Sequence, residues 1–317
     1  MSSMAYGLLP GQSIEQAADV IAGESEGPRA LPILPQRGVY SDALASTLAF
    51  IQELPVDLGP RAWMIQQRPQ LATMRLRRRL RDDLDLIQAQ WGEYGELKLQ
   101  ICGPWTLISA VELSNGHRVL SDAGASHDIS AMLVDATAEH IQGLKQRFAA
   151  DHVVVHILEP AVHRLASGTM PGTSDFDVIA ARSPKLLGEH EHGVIEQLRA
   201  RTGAKVFLDL GTRPLMPMAQ IAAADALVLS PTAALQWPHD QLDGLAAWLG
   251  RGALACTGSE DPRDRATGVL NLIRELGYPP ETATQAIMLD DPQANTDLLG
   301  AAQSIAHARE ASRMLQG

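Results

Sequence analysis

The chain has 317 residues, 45% of them hydrophobic, and its 37 acidic and 26 basic side chains leave a net charge of −11. That length suits one large α/β barrel, for which roughly 250 residues is typical, and the acidic excess argues against nucleic-acid binding, which carries a basic footprint. No run approaches the ~18 apolar residues of a membrane span. The start, MSSMAYGLLPGQS, lacks the basic region and apolar core of a signal peptide, and Cys102 and Cys256 lie far apart in apolar runs, so a reduced, cytoplasmic protein is expected.

In chain order, a strand at about residues 3–8 runs into LPGQS, where Ser13 can cap a helix ending near Ala22, with Gly23 as its stop signal. Residues 24–45, which include ESEGPRALPILPQRG, are rich in Pro, Gly and charge and read as an excursion. PVDLGPRAWMI carries a second, poorer strand signal. In MRLRRRLRDDLDLI, Leu76, Leu80, Leu84 and Ile87 make one apolar helix face, which leaves the arginines and aspartates on a solvated face. LKLQIC (97–102) is a third strand, followed by helices near 104–113 and from about Asp128 to Phe148. HVVVHIL (152–158), KVFLDL (205–210), ALVLS (226–230), GALAC (252–256) and QAIML (285–289) are apolar enough to be strands buried on both faces. Helical stretches follow most of them, including 260–276 and 297–315. About eight strands with intervening helices predict an α/β fold, a (β/α)8 TIM-type barrel with an N-terminal excursion after the first helix, forming one domain over 1–317. An open doubly wound sheet is the alternative, and no G-x-G-x-x-G or Walker sequence follows any strand to support it.

In such a barrel, ligands are held at the carboxyl ends of the strands. Those ends offer Tyr6, Gly7, Leu8 and Pro10; Gly103, Pro104, Trp105 and Thr106; His156, Glu159 and Pro160; Asp209 and Thr212; Ser230 and Thr232; Cys256, Thr257 and Ser259; and Asp290 and Asp291. LKLQICGPWTLISAVELSNGHRVLSDAGASHDIS, with GLLPGQSIEQAADVIAGE, LPVDLGPRAW and VVVHILEPAV in collinear order, resembles actinobacterial proteins similar to the catalytic barrel of cobalamin-independent methionine synthase. The resemblance implies an (α/β)8 barrel in which a zinc ion, held by His, Cys, Glu and Cys, binds homocysteine as a thiolate that takes a methyl group from a reduced folate. Zinc serves there by lowering the thiol pKa. Carried over residue by residue, the His-x-Cys stretch reads Val206-Phe207-Leu208-Asp209, Ser230 stands nearest the expected Glu, and Asp290 or Asp291 stands where the second Cys belongs. The family's Gly-Ser-Leu-Pro has become Gly7-Leu8-Leu9-Pro10, and Asp-Glu-Pro has become Leu158-Glu159-Pro160. Gly7, Gly103, Pro104, Thr106 and Glu159 survive. A degenerate zinc site, and with it a pseudoenzyme, is expected. The alternative to a methyltransferase is a non-catalytic descendant that binds a folate-like or amino-acid-like molecule, or a partner-binding scaffold.

The ligand-binding candidates are Gly7, Trp105, Thr106, His156, Glu159, Asp209 and Ser230, facing a small molecule at the C-terminal mouth, and no catalytic residue is assigned. Gly103-Pro104 makes the strand-to-loop turn, and Thr106 can cap the next helix. Trp105 can stack on a pterin-like ring or pack under a loop. Glu159, emerging from an apolar strand, needs a cation, a donor or a ligand amine, while His156 is either a hydrogen-bonded core histidine or a catalytic one. In EHEH (189–192), His190 and His192 face together on an extended segment and diverge on a helix. The stretch precedes the helical GVIEQLRARTG, where Glu189 and Glu191 suit an acidic first turn. Cys256 reads as a small buried residue. A rebuilt metal site would draw on Glu159, His190, His192 and Cys256.

Overall fold

The computed structural model describes residues 3–173, 178–258, 261–292 and 296–317. Eight parallel strands form one sheet: β1 (Ser3–Met4), β2 (Arg29–Ala30), β3 (Glu96–Cys102), β4 (His152–Leu158), β5 (Lys205–Asp209), β6 (Ala226–Leu229), β7 (Ala253–Gly258) and β8 (Ile287–Asp290). From β2 onward each pairs with the next, and β8 returns to β1 with Met288 opposite Ser3. Between β1 and β2 the ring meets through a Leu8–Ile33 bridge, where Leu9 N–H donates to the Ile33 carbonyl at 3.0 Å and Ile33 N–H to Gly7 at 2.9 Å. Helices surround the ring, giving the nearly closed TIM-type barrel.

Two early elements differ from the sequence reading. The stretch 24–45 is not a mere excursion: it contributes β2, and Leu31, Ile33 and Leu34 are buried. Pro28, Pro32 and Pro35 obscure it, because a strand of two paired residues flanked by prolines carries almost no periodicity. PVDLGPRAWMI is not a barrel strand. Val56–Leu58 and Trp63–Ile65 form an antiparallel hairpin, and the second of these runs parallel to Val111–Glu112 in a separate three-stranded sheet. Thr73 ties that hairpin to the arginine-rich helix, Leu71–Trp91, by accepting from Val56 N–H at 2.9 Å and donating to its carbonyl at 2.5 Å.

Alternation along each strand divides the core. Met4, Tyr6, Val154, Leu158, Phe207, Val228, Ala255 and Leu289 pack inside the barrel, while Leu97, Leu99, Ile101, Val155, Ile157 and Leu208 pack outward against the helices. In β3 the lumen-facing positions are polar. The fully buried Lys98 ammonium donates to the carbonyls of Ala5 and Tyr6, both at 2.9 Å, and the Gln100 amide donates to Tyr6 at 2.6 Å. With β2 so short, these side chains reach across to serve carbonyls just past β1 that a longer strand would pair. Gly7, at φ +102°, makes room for that crossing, since a Cβ there would fall 1.7 Å from Gln100 Nε2.

The helix starts follow local chemistry. Ser13, Asp42, Asp122, Ser183, Ser230, Asp261 and Asp297 all accept from backbone N–H groups in the first turns of their helices. No helix among the described residues is long and apolar enough to cross a membrane.

Candidate functional site

A cavity of about 360 Å³ opens at the carboxyl end of the strands. Tyr6, Asp209, Ser230 and Thr257 line it with polar groups, and Leu8, Leu158, Val228 and Trp237 supply apolar walls. Of the residues expected to meet a ligand, Asp209 and Ser230 lie on this cavity. Tyr6, named among the strand ends but left out of the candidate set, is central to it. Its hydroxyl donates to Asp209 Oδ2 at 2.6 Å, and Gly211 N–H donates to Asp209 Oδ1 at 2.7 Å. His156 is fully buried beneath, with Nε2 3.6 Å from Asp209 Oδ2 and its ring edge-on to Tyr6 at 4.9 Å.

Burial works to raise the Asp209 pKa. The facing His156 ring, the Tyr6 hydroxyl and the Gly211 amide outweigh it and hold the carboxyl below its usual range. His156 moves the other way, pushed down to about 4 by burial and by the Lys98 charge, so it stays neutral. Burial, then the neighbouring Asp209, raise the Tyr6 phenol well above its ordinary value, which keeps it a donor. Burial lowers Lys98 to about 7 against the pull of Asp290 and Asp209. Asp290 is raised by burial and accepts from Tyr6 N–H at 2.5 Å.

The other candidates lie elsewhere. Glu159 does not face the mouth. It is fully buried beside the helix Pro104–Ala110, accepting from Trp105 N–H at 2.7 Å, Thr106 N–H at 2.8 Å and the Thr106 hydroxyl at 2.5 Å. Thr106 is therefore not the cap of that helix. Gly103 occupies the cap position and Glu159 supplies the capping oxygens, which requires Gly103, since a Cβ there would lie 2.3 Å from Glu159 Oε1. Trp105 is buried away from the cavity, with Nε1 donating to the Leu187 carbonyl at 3.0 Å and its ring 4.8 Å from that of His190. Gly7 serves the crossing of Gln100.

EHEH lies within a helix that starts earlier than the sequence suggested, at Pro184, because Ser183-Pro184 is its cap and first position. Glu189 and Glu191 are thus interior to the helix and not in its first turn. His190 meets the Ser130 hydroxyl at 3.1 Å, whereas His192 meets the Ala222 carbonyl at 3.3 Å, so the two diverge. Glu191 is fully buried against Glu159, and burial followed by the Glu159 charge raise its carboxyl well above the ordinary value. Glu159 itself is pushed up to about 7 by burial, against its donors. Two buried carboxyls set against each other cannot both ionise cheaply, which is why the Glu159 charge adds to burial in raising Glu191. Cys256 packs in the outer core among the helices, its thiol pushed up to about 12 by burial. Cys102 lines the mouth, and burial raises its thiol too. Ser259 lies outside the described residues. Among the described residues, no group of three or more His, Cys, Asp or Glu could hold a metal ion.

No family model matches the sequence, and no curated protein matches it. Solved structures do share the architecture. A B12-independent methionine synthase from Shewanella sp. W3-18-1, in complex with selenomethionine, superposes with a TM-score of 0.59 at 10% identity, over 99% of this chain and 97% of that one. A methyltransferase from Methanosarcina mazei superposes with a TM-score of 0.50 at 12% identity, over 92% of this chain and 82% of that one. At such identities the likeness shows that this chain is built on the barrel fold those two proteins use, and it shows the fold alone.

Proposed function

We infer that this chain binds a small molecule in the mouth of the barrel and does not methylate homocysteine by a zinc-held thiolate. The observation that carries the reading is the mouth itself: a cavity of about 360 Å³ whose polar groups converge on an ionised Asp209. Its size falls within the roughly 300–1,000 Å³ of ligand sites. Its place, where the strands end, is where such barrels hold their ligands.

The donors near the mouth do not fit a thiolate-activating zinc. Such sites draw on converging imidazoles, thiolates and carboxylates. Cys102 is the one described thiol on the cavity, and its burial disfavours the thiolate that a metal takes. Cys256 points into the outer core, and His190 and His192 turn to Ser130 and Ala222. The fold and the collinear motifs support descent from methionine-synthase-like barrels, with an amino-acid-like or folate-like ligand as the inherited class.

The test uses untagged protein purified without chelators, assayed for zinc and for methyl transfer from methyltetrahydrofolate to homocysteine. The expected result is neither bound zinc nor methionine. About one zinc per chain, with methionine formed, would overturn this reading.

A further inference from the structure

The mouth cavity is one-sided in charge. Among the described residues that line it, the charged side chains are Asp209 and Asp291, with no Lys, Arg or His. Arg213, one residue beyond Thr212, stays off the lining. Two buried cations lie off the lining with their hydrogen bonds spent on backbone, although Asp209 and the Lys98 charge attract each other. Lys98 serves the Ala5 and Tyr6 carbonyls, and Arg265 donates to the Ser304 carbonyl at 2.9 Å and to the Leu289 carbonyl. His156, at 3.6 Å from Asp209, is neutral and leaves the carboxylate charge in place. Tyr6 and Gly211 orient that carboxylate, one donor on each oxygen, and each oxygen keeps a further lone pair.

Such a cavity discriminates by charge. A ligand carboxylate would be desolvated opposite Asp209 and Asp291 with no counter-ion, which is strongly unfavourable. An ammonium would gain a charge-assisted hydrogen bond in a partly desolvated setting. The net charge of −11 draws cations toward the surface as well. Trp237, Leu8, Leu158 and Val228 offer the rest of the molecule an apolar and aromatic surface.

Resting on the mouth as the binding site, we propose that its ligand is a compact organic cation: an ammonium group seated on Asp209, an apolar or aromatic body against Trp237 and Leu158, and no acidic group of its own. The inference parts from the inherited ligand class, because a zwitterionic amino acid or a folate brings a carboxylate for which the described lining holds no cation.

The test is calorimetric titration of the full chain with four probes on one scaffold: phenethylamine, phenethyl alcohol, 3-phenylpropionate and L-phenylalanine. The amine is expected to bind about tenfold or more tightly than the alcohol, with the two carboxylates weaker still. Asp209→Asn should erase the advantage of the amine over the alcohol. Since that variant removes a buried partner of Tyr6, Thr212→Lys on the exposed rim provides a second reading. It should weaken the amine about tenfold and bring phenylpropionate into the binding range. If the alcohol binds as tightly as the amine, and Trp237→Ala weakens both, the cation inference fails while the mouth stands as the site. If the amine binds unchanged in Asp209→Asn, Thr212→Lys and Trp237→Ala, both the inference and the mouth reading fail. Absence of binding by the amine at millimolar concentration overturns the inference, and metal content with methyl transfer then decides the parent reading separately.

Discussion

The Glu159–Glu191 pair makes stability depend on pH in a way that one amide can remove. Both carboxyls are fully buried, and Glu159 already accepts three hydrogen bonds from Trp105 and Thr106. Burial takes Glu159 from 4.5 to about 7, and each pKa unit is worth about 1.4 kcal/mol, so roughly 3 kcal/mol is at stake. The sign follows from linkage. A carboxyl whose folded pKa lies above its unfolded value binds more protons when folded, so its stabilising contribution is complete below about 4.5 and is lost as pH rises toward 7 and beyond. In Glu159→Gln that titration is gone, the Glu159 charge no longer raises Glu191, and the altered hydrogen bonds with Trp105 and Thr106 cost the same at every pH. Relative to the wild type, the variant should gain about 3 kcal/mol between pH 4.5 and pH 8. Urea unfolding of both proteins across that range measures the difference at each pH, in which titrations outside the pair cancel. A difference that stays flat from pH 4.5 to 8 would refute the raised Glu159 carboxyl.

Three further outcomes follow from the lumen and the helix ends. Lys98→Met should destabilise by about 2 kcal/mol or more at pH 6, because buried carbonyls lose their donor. Lys98 falls from 10.5 to about 7 on folding, so wild-type stability should rise between those values while the variant lacks that component of the rise, as urea midpoints at pH 7 and 10 would show. Gly7→Ala combines φ +102° with a Cβ 1.7 Å from Gln100 Nε2, and a loss of about 3 kcal/mol or more in thermal or urea unfolding is expected. Ala149 ends the helix Ala123–Phe148 at φ 52°, so Ala149→Gly should stabilise by about 0.5–1 kcal/mol in urea unfolding.

Periodicity made most of the barrel legible before the structure. HVVVHIL and KVFLDL could hardly be anything but strands buried on both faces, and the observed strands His152–Leu158 and Lys205–Asp209 lie within them. What escaped was whatever periodicity cannot carry. Arg29–Ala30 is too short to show a pattern between its prolines. LKLQIC was read as a strand without attention to its Lys and Gln, which alternate onto the face that in a barrel is the lumen, and that alternation was a signal for Lys98 and Gln100. Glu159 was rightly read as a carboxylate in need of partners. That those partners were the amides and the hydroxyl at the start of the next helix depends on the direction in which the chain leaves β4, which no local pattern encodes. Asp209 and Ser230 reached the mouth because strand ends there can be counted from the sequence. Trp237 sits beyond a short helix, where such counting stops.

The bridge between Leu8 and Ile33 has a mechanical meaning. Seven of the eight strand junctions are ladders of paired residues, but this one rests on two backbone hydrogen bonds and the reach of Lys98 and Gln100. It is the zip of the molecule, the line along which the ring parts with least disturbance to the remaining sheet. Parting it would expose two unpaired strand edges, which are templates for aggregation, and would free Leu8 from one wall of the mouth. Amide exchange at Leu9 and Ile33 reads that opening directly, and a ligand lodged against Leu8 should slow it.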